Sequence, residues 1–130
     1  MYRFSFEKLE VWKESVELVK VIYKITDNFP SEEKFGLISQ VRRASISISS
    51  NLAEGSSRYT NKDKAHFTNM SFSSAMEVLN QFVISKELGF VSEKDYIFVR
   101  DKIEKISNML NALRNSQLKF NDYTNKQIHK

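Results

Sequence analysis

Across 130 residues the chain has one proline, Pro30, and three glycines, Gly36, Gly55 and Gly89. So few turn formers cannot serve the many tight reversals of a β fold, which commits the sequence to a few long helices. Between the breaks, apolar residues recur every three or four positions. Leu9, Trp12, Val16, Val19 and Tyr23 form one stripe of a helix predicted over 7–28, and Val11, Leu18, Ile22 and Ile25 form a second stripe beside it. Trp12, inside an apolar stripe, is expected in the core. Pro30 disfavours helix at Phe29. Ser31, with Glu32 and Glu33 behind it, predicts the N-cap of a second helix, and Gly55 is expected to close that helix in the left-handed conformation.

Thr60 followed by Asp63 resembles a capping box and opens a third helix that reaches Leu88 and stops at Gly89. Ser92 begins a fourth. There Tyr96, Val99, Ile103, Ile106, Leu110 and Leu113 keep the alternating three-and-four spacing of a bundle seam, and the other positions are charged or polar. The expected fold is all-α, an antiparallel up-down-up-down four-helix bundle over residues 1–116. The polar segment 117–130 has no clear period and reads as a frayed or disordered tail.

The second and third helices are apolar on more than one side. In the second, Leu37, Ile38, Val41, Ala44, Ser45, Ile48 and Leu52 share a face. Gln40, Arg43, Ser47, Asn51 and Glu54 form a polar seam, and Ile46 and Ala53 lie beyond it. Ser45, Ser49 and Ala53, four apart, allow a neighbouring helix to come close. In the third, Phe67, Ser71, Ser74, Val78, Phe82 and Ser85 make one face, while Phe72, Met76, Leu79 and Val83 make another. A monomeric bundle needs one apolar face per helix, so the surplus predicts a symmetric homo-oligomer.

Several function classes fall away. There is no cysteine, hence no disulfide and no thiolate site. No stretch approaches the ~18 uninterrupted apolar residues of a membrane span, and the first ten residues lack the apolar core of a signal peptide, so a cytoplasmic protein is expected. The two histidines are His66 and His129. Asp63 and His66 have a carboxylate–histidine spacing known from di-iron bundles, but a second such pair is missing. Neither a Gly-x-Ser-x-Gly elbow nor a Gly-x-x-x-x-Gly-Lys loop occurs. No catalysis, metal or cofactor is expected.

What remains is positive charge. The formal net charge is +4, and it is unevenly spread: residues 1–30 and 31–55 each balance to zero, 56–66 carry +2 and 117–130 carry +2. Arg42 and Arg43 in the second helix, Arg58 just past its end, and Lys62 and Lys64 at the start of the third are the candidate nucleic-acid contacts, with Tyr59 available for stacking. A guanidinium donates two parallel hydrogen bonds to phosphate, and a ring of subunits would repeat this charge about its axis. For Arg43, an ion pair with Glu54 or with a carboxylate across an interface is the expected alternative.

Leu9-Glu-Val-Trp12, Phe29-Pro30, Phe35-Gly36-Leu37, Gln40-Val-Arg42-Arg43-Ala44, Ser47-Ile48 and Asn51-Leu-Ala-Glu54-Gly55 follow one another in a pattern that resembles the bacterial family of 23S rRNA intervening-sequence proteins, also labelled S23 ribosomal proteins. The resemblance extends from residue 6 to 116. It implies a four-helix bundle assembled as a homopentamer around a central channel. A related branch, the accessory variability protein of diversity-generating retroelements, binds nucleic acid and a reverse transcriptase through a basic surface. By that resemblance Arg42, Arg43 and Arg58 are the positions carried over, and a reverse transcriptase is a partner by analogy. The serine-rich run 45–50 is more polar than the family pattern, and the tail lies outside it. The expected function is therefore non-enzymatic binding of nucleic acid, RNA over DNA, by a basic ring. The competing expectation is a protein-interaction scaffold that meets no nucleic acid.

Overall fold

The computed structural model describes the backbone of residues 1–128 and the side chains of residues 1–119. Among the described residues there are four α-helices and no strand: α1 (Glu10–Thr26), α2 (Leu37–Ser56), α3 (Asn61–Glu87) and α4 (Glu93–Ile128). Short 3-10 turns at Ser5–Lys8 and Ser31–Glu33 precede α1 and α2. None of these helices is long and apolar enough to cross a membrane.

Each helix packs on two others: α1 and α3 each lie against both α2 and α4. The partners of α2 fall along α3 as they rise along α2. Ser47 meets Ser74 (2.9 Å), the Ile48 carbonyl accepts from the Ser71 hydroxyl (2.9 Å), and Gly55 lies against Phe67. Leu18, Ile22, Val41, Ile48, Val78, Phe82, Val99, Ile103, Ile106 and Leu110 fill the space between the helices and are essentially inaccessible.

Of the second stripe expected on α1, Val11, Leu18 and Ile22 are buried and Ile25 is half-buried, and the polar Ser15 and Thr26 join the buried face. The two hydroxyls escape the cost of burial by donating back to their own helix, Ser15 to the Trp12 carbonyl (2.6 Å) and Thr26 to that of Ile22 (2.7 Å). Trp12 packs at the core edge with its ring against Phe6 (5.2 Å between centroids).

Three boundaries differ from expectation, each for a local reason. Ser31 opens only a 3-10 turn, and α2 begins at Leu37, whose amide donates to the Glu33 carboxylate (3.2 Å). An acceptor reaching back from the turn does the work expected of the serine. Gly55 has no positive φ; Gly89 alone does, at 79°. There the Phe90 amide donates to Ser85 O (2.9 Å) and the Gly89 amide to Lys86 O (3.0 Å), a Schellman end to α3. Finally, the polar segment from residue 117, expected as a tail, continues α4 to Ile128. No proline or glycine follows Gly89 to stop it, and Gln117 accepts from Thr68 (2.9 Å). Residues 129–130, the end of that segment, lie outside the described residues. Thr60 and Ser92 do cap α3 and α4, accepting from the amides of Asp63 and Asp95 (both 3.1 Å).

The second apolar face of α3 is half-buried within the chain. Phe72, Met76 and Leu79 pack against the core, and Met76 and Leu79 share a groove with Ile103 and Ser107 of α4. Because this stripe lies against the core and α4, it does not by itself call for another subunit. Ile46 on α2 does stay exposed.

Gly55 is glycine because α3 is close: a Cβ there would stand 2.7 Å from the Phe67 Cβ. Gly55→Ala would gain up to about 1 kcal/mol of helix propensity but force an overlap costing about 1–3 kcal/mol. The overlap wins, and the variant should unfold at a lower urea concentration than the parent. An unchanged or higher midpoint would mean that α3 moves aside freely.

Candidate nucleic-acid interface

The five basic residues singled out by sequence occupy three different places. Arg42 is bound to α1. Its Nε donates to Thr26 Oγ1 (2.9 Å), one terminal nitrogen donates to Asp27 Oδ1 (3.0 Å) and to the Tyr23 carbonyl (3.3 Å), and the guanidinium lies over the Tyr23 ring at 4.4 Å. These groups lie in the last turn of α1 and at its C-cap, where the helix dipole is negative. Arg42 therefore closes a neighbouring helix, and only a quarter of its side chain is exposed.

Arg43, the next residue, points elsewhere. It is exposed and lines an open cleft of about 460 Å³ between α2 and α3, together with Gln40, Ala44, Ser47 and Glu77. Among the described residues it has no ion pair. Glu54, the expected partner, is eleven positions along the same helix, about 16 Å at the ordinary helical rise, and is out of reach within one chain. Glu77 on the opposite wall accepts weakly from Gln81 (3.4 Å), so the cleft holds one charge of each sign.

Arg58, Lys62 and Lys64 come together at the corner joining α2 to α3. Glu54 pairs with Arg58 across one helical turn (3.1 Å), and the Arg58 guanidinium lies over the Phe67 ring at 4.6 Å. The guanidinium is thus oriented by a carboxylate and an aromatic face while nearly half of its side chain remains exposed. Lys62 is exposed and Lys64 half-buried in the first turn of α3. A cation at that position faces the positive end of the helix dipole, at a cost of about 0.3–1 kcal/mol, so helix stability does not explain it. Tyr59 between them is fully exposed. His66, also exposed, leans edge-on to Phe67 (5.7 Å).

The comparisons with known proteins bear on this arrangement. The family model described as 23S rRNA-intervening sequence protein matches residues 7–112. The chain belongs to that family. A solved structure from Bacteroides thetaiotaomicron, described as a protein of unknown function from the S23 ribosomal protein family, superposes with a TM-score of 0.72 at 20% identity, covering 80% of this chain and 97% of the other. At that identity the likeness concerns the fold. No curated protein matches the chain. Neither description names an enzymatic activity.

Two members of the corner escaped sequence reasoning. The spacing of Glu54 and Arg58 is that of a helical ion pair, so this partner was legible in principle. Phe67 as the platform under Arg58 was not, because it depends on the turn between two helices. The separate duties of the paired arginines give a direct test. Arg42→Ala removes a charge-assisted bond, an ion pair and a ring contact and should lower stability by about 2 kcal/mol. Arg43→Ala should stay within about 0.5 kcal/mol of the parent. Urea denaturation followed by circular dichroism separates them, and equal losses would refute the assignment.

Proposed function

We propose that this protein is a non-enzymatic nucleic-acid-binding bundle whose α2–α3 corner holds the phosphates of RNA. The observation that carries the reading is the corner itself: Arg58 pre-oriented on Phe67, with Lys62 and Lys64 placed against the helix dipole. The bundle is antiparallel, up-down-up-down, a reading supported by the opposed partner order of α2 and α3 and by Thr26 at the end of α1 meeting Arg42 in the first half of α2. Copies of the chain assemble into a ring, five by resemblance to the family, which multiplies a modest charge per subunit into a strong local field. Phosphate contact gives affinity and position without base readout. Arg43 stands apart from the corner, in the cleft between α2 and α3, and Arg42 stays with the fold.

A scaffold without nucleic acid is the second reading. It is favoured by the cleft in which Arg43 and Glu77 present opposite charges, an arrangement better suited to a protein surface than to a polyanion.

Fluorescence anisotropy of a labelled structured RNA, titrated at several salt concentrations, distinguishes the two. Under the binding reading the affinity falls steeply with salt. Arg58→Ala and Lys62→Ala together weaken binding about tenfold or more and reduce the salt slope by about 2. The helix content and assembly state of the variant should match the parent. No binding at low salt, in protein of unchanged assembly state, puts the scaffold in front.

A further inference from the structure

We infer that the corner end of the bundle takes single-stranded RNA, stacking unpaired bases on Tyr59 and on the Tyr2–Phe4 pair while the surrounding cations hold the phosphates. This rests on the nucleic-acid reading above and names the form of nucleic acid that it concerns.

Three separate segments converge on this end. The 3-10 turn Ser5–Lys8 packs on α2 as well as on α1. Because Arg42 holds the last turn of α1 toward the start of α2, the beginning of α1 and the residues before it lie toward the Gly55 end. From the other side, Thr68 donates to Gln117 (2.9 Å) and Arg114 to Asn69 (3.4 Å), which brings residues 114–119 of α4 level with the first turns of α3. The spans 1–8, 54–66 and 114–119 together carry seven Lys and Arg against three Asp and Glu. That excess of four equals the formal net charge of the whole chain, +4, so the remaining residues balance to zero. The field of the molecule is concentrated at one end.

The same end presents aromatic rings to solvent. Tyr59 is 102% exposed, Tyr2 77% and Phe4 60%. Tyr2 and Phe4 meet edge to face with centroids 5.1 Å apart, which leaves ring faces uncovered. A ring in water forgoes the stabilisation that burial would bring, and neither Tyr59 nor this pair serves the core. The exposed rings Phe35 and Phe98 differ: each already carries a cation on its face, Lys34 Nζ at 5.6 Å and Lys102 Nζ at 5.2 Å from the ring centroids, and each follows acidic residues, Glu32 and Glu33 or Glu93 and Asp95. Rings interleaved with cations bind single strands, because an unpaired base of any identity has a free π face and a base inside a duplex does not.

The test uses the full chain and two fluorescein-labelled RNAs of equal length, one without self-complementarity and one annealed to its complement. The single strand should bind about tenfold or more tighter than the duplex at the same salt. Tyr59→Ala should weaken single-strand binding about tenfold and leave the duplex unaffected, with Tyr59→Phe restoring the parent affinity. Tyr59 touches no part of the core, so the alanine variant should keep the parent circular dichroism. Tyr2→Ala with Phe4→Ala should act in the same direction. Equal affinity for both RNAs, with Tyr59→Ala neutral, overturns the stacking inference while leaving phosphate binding intact. Absence of binding to either RNA overturns both.

Discussion

The close approach of α2 and α3 governs much of this molecule. It depends on small side chains along the contact: Gly55 under Phe67, Ser47 against Ser74, and Ser71 reaching the Ile48 carbonyl. A larger residue at any of these positions would separate the helices, and an alanine at Ser47 would take away the partner of the buried Ser74 hydroxyl, at about 1–3 kcal/mol. Asn51 completes the seam by donating to the Ser47 carbonyl (2.9 Å) and hydroxyl (3.1 Å). Within the serine-rich run 45–50, Ser47 bonds across to α3, while Ser45 and Ser49 donate back to the Arg42 and Ile46 carbonyls of their own helix (both 2.8 Å), which is how serines, middling helix formers, are tolerated there.

The candidate site grows out of that contact. Phe67 can sit against α2 only because Gly55 has no side chain, and the exposed face of Phe67 then supports Arg58. Packing has positioned a cation. Its counterpart at the far end of α2 runs the other way, since Arg42 is drawn into the last turn of α1, where it satisfies that helix instead of facing solvent. Two arginines, one inside α2 and one just past its end, therefore do different work for reasons that lie outside that helix.

The apolar surplus on α3 has a similar origin. Its core face and its second face answer two neighbours, α2 and α4, and Met76 and Leu79 are half-covered by α4. The proposed ring would draw on what stays uncovered, such as Ile46 on α2 and the charged cleft beside Arg43. A cleft with opposite charges on its two walls can pair with its own copy in an isologous or ring contact.

Helix number, helix type, the caps at Thr60, Ser92 and Gly89, and the apolar core of α2, α3 and α4 were all determined by the sequence. Each follows from periodicity or from an acceptor one turn away. Family membership was legible for the same reason, in motifs placed around the breaks. What only the tertiary structure decided depends on partners far apart in the chain. Gly55 looked like a helix end but is a helix contact, because sequence reports the absence of a Cβ and not what occupies the space. Arg42 and Arg43 look alike in sequence, yet successive positions on a helix differ by about 100°, and that rotation sends one to α1 and the other to the cleft. The gathering of residues 1–8, 54–66 and 114–119 inferred above is likewise invisible along the chain, since it depends on how the four helices pack on one another.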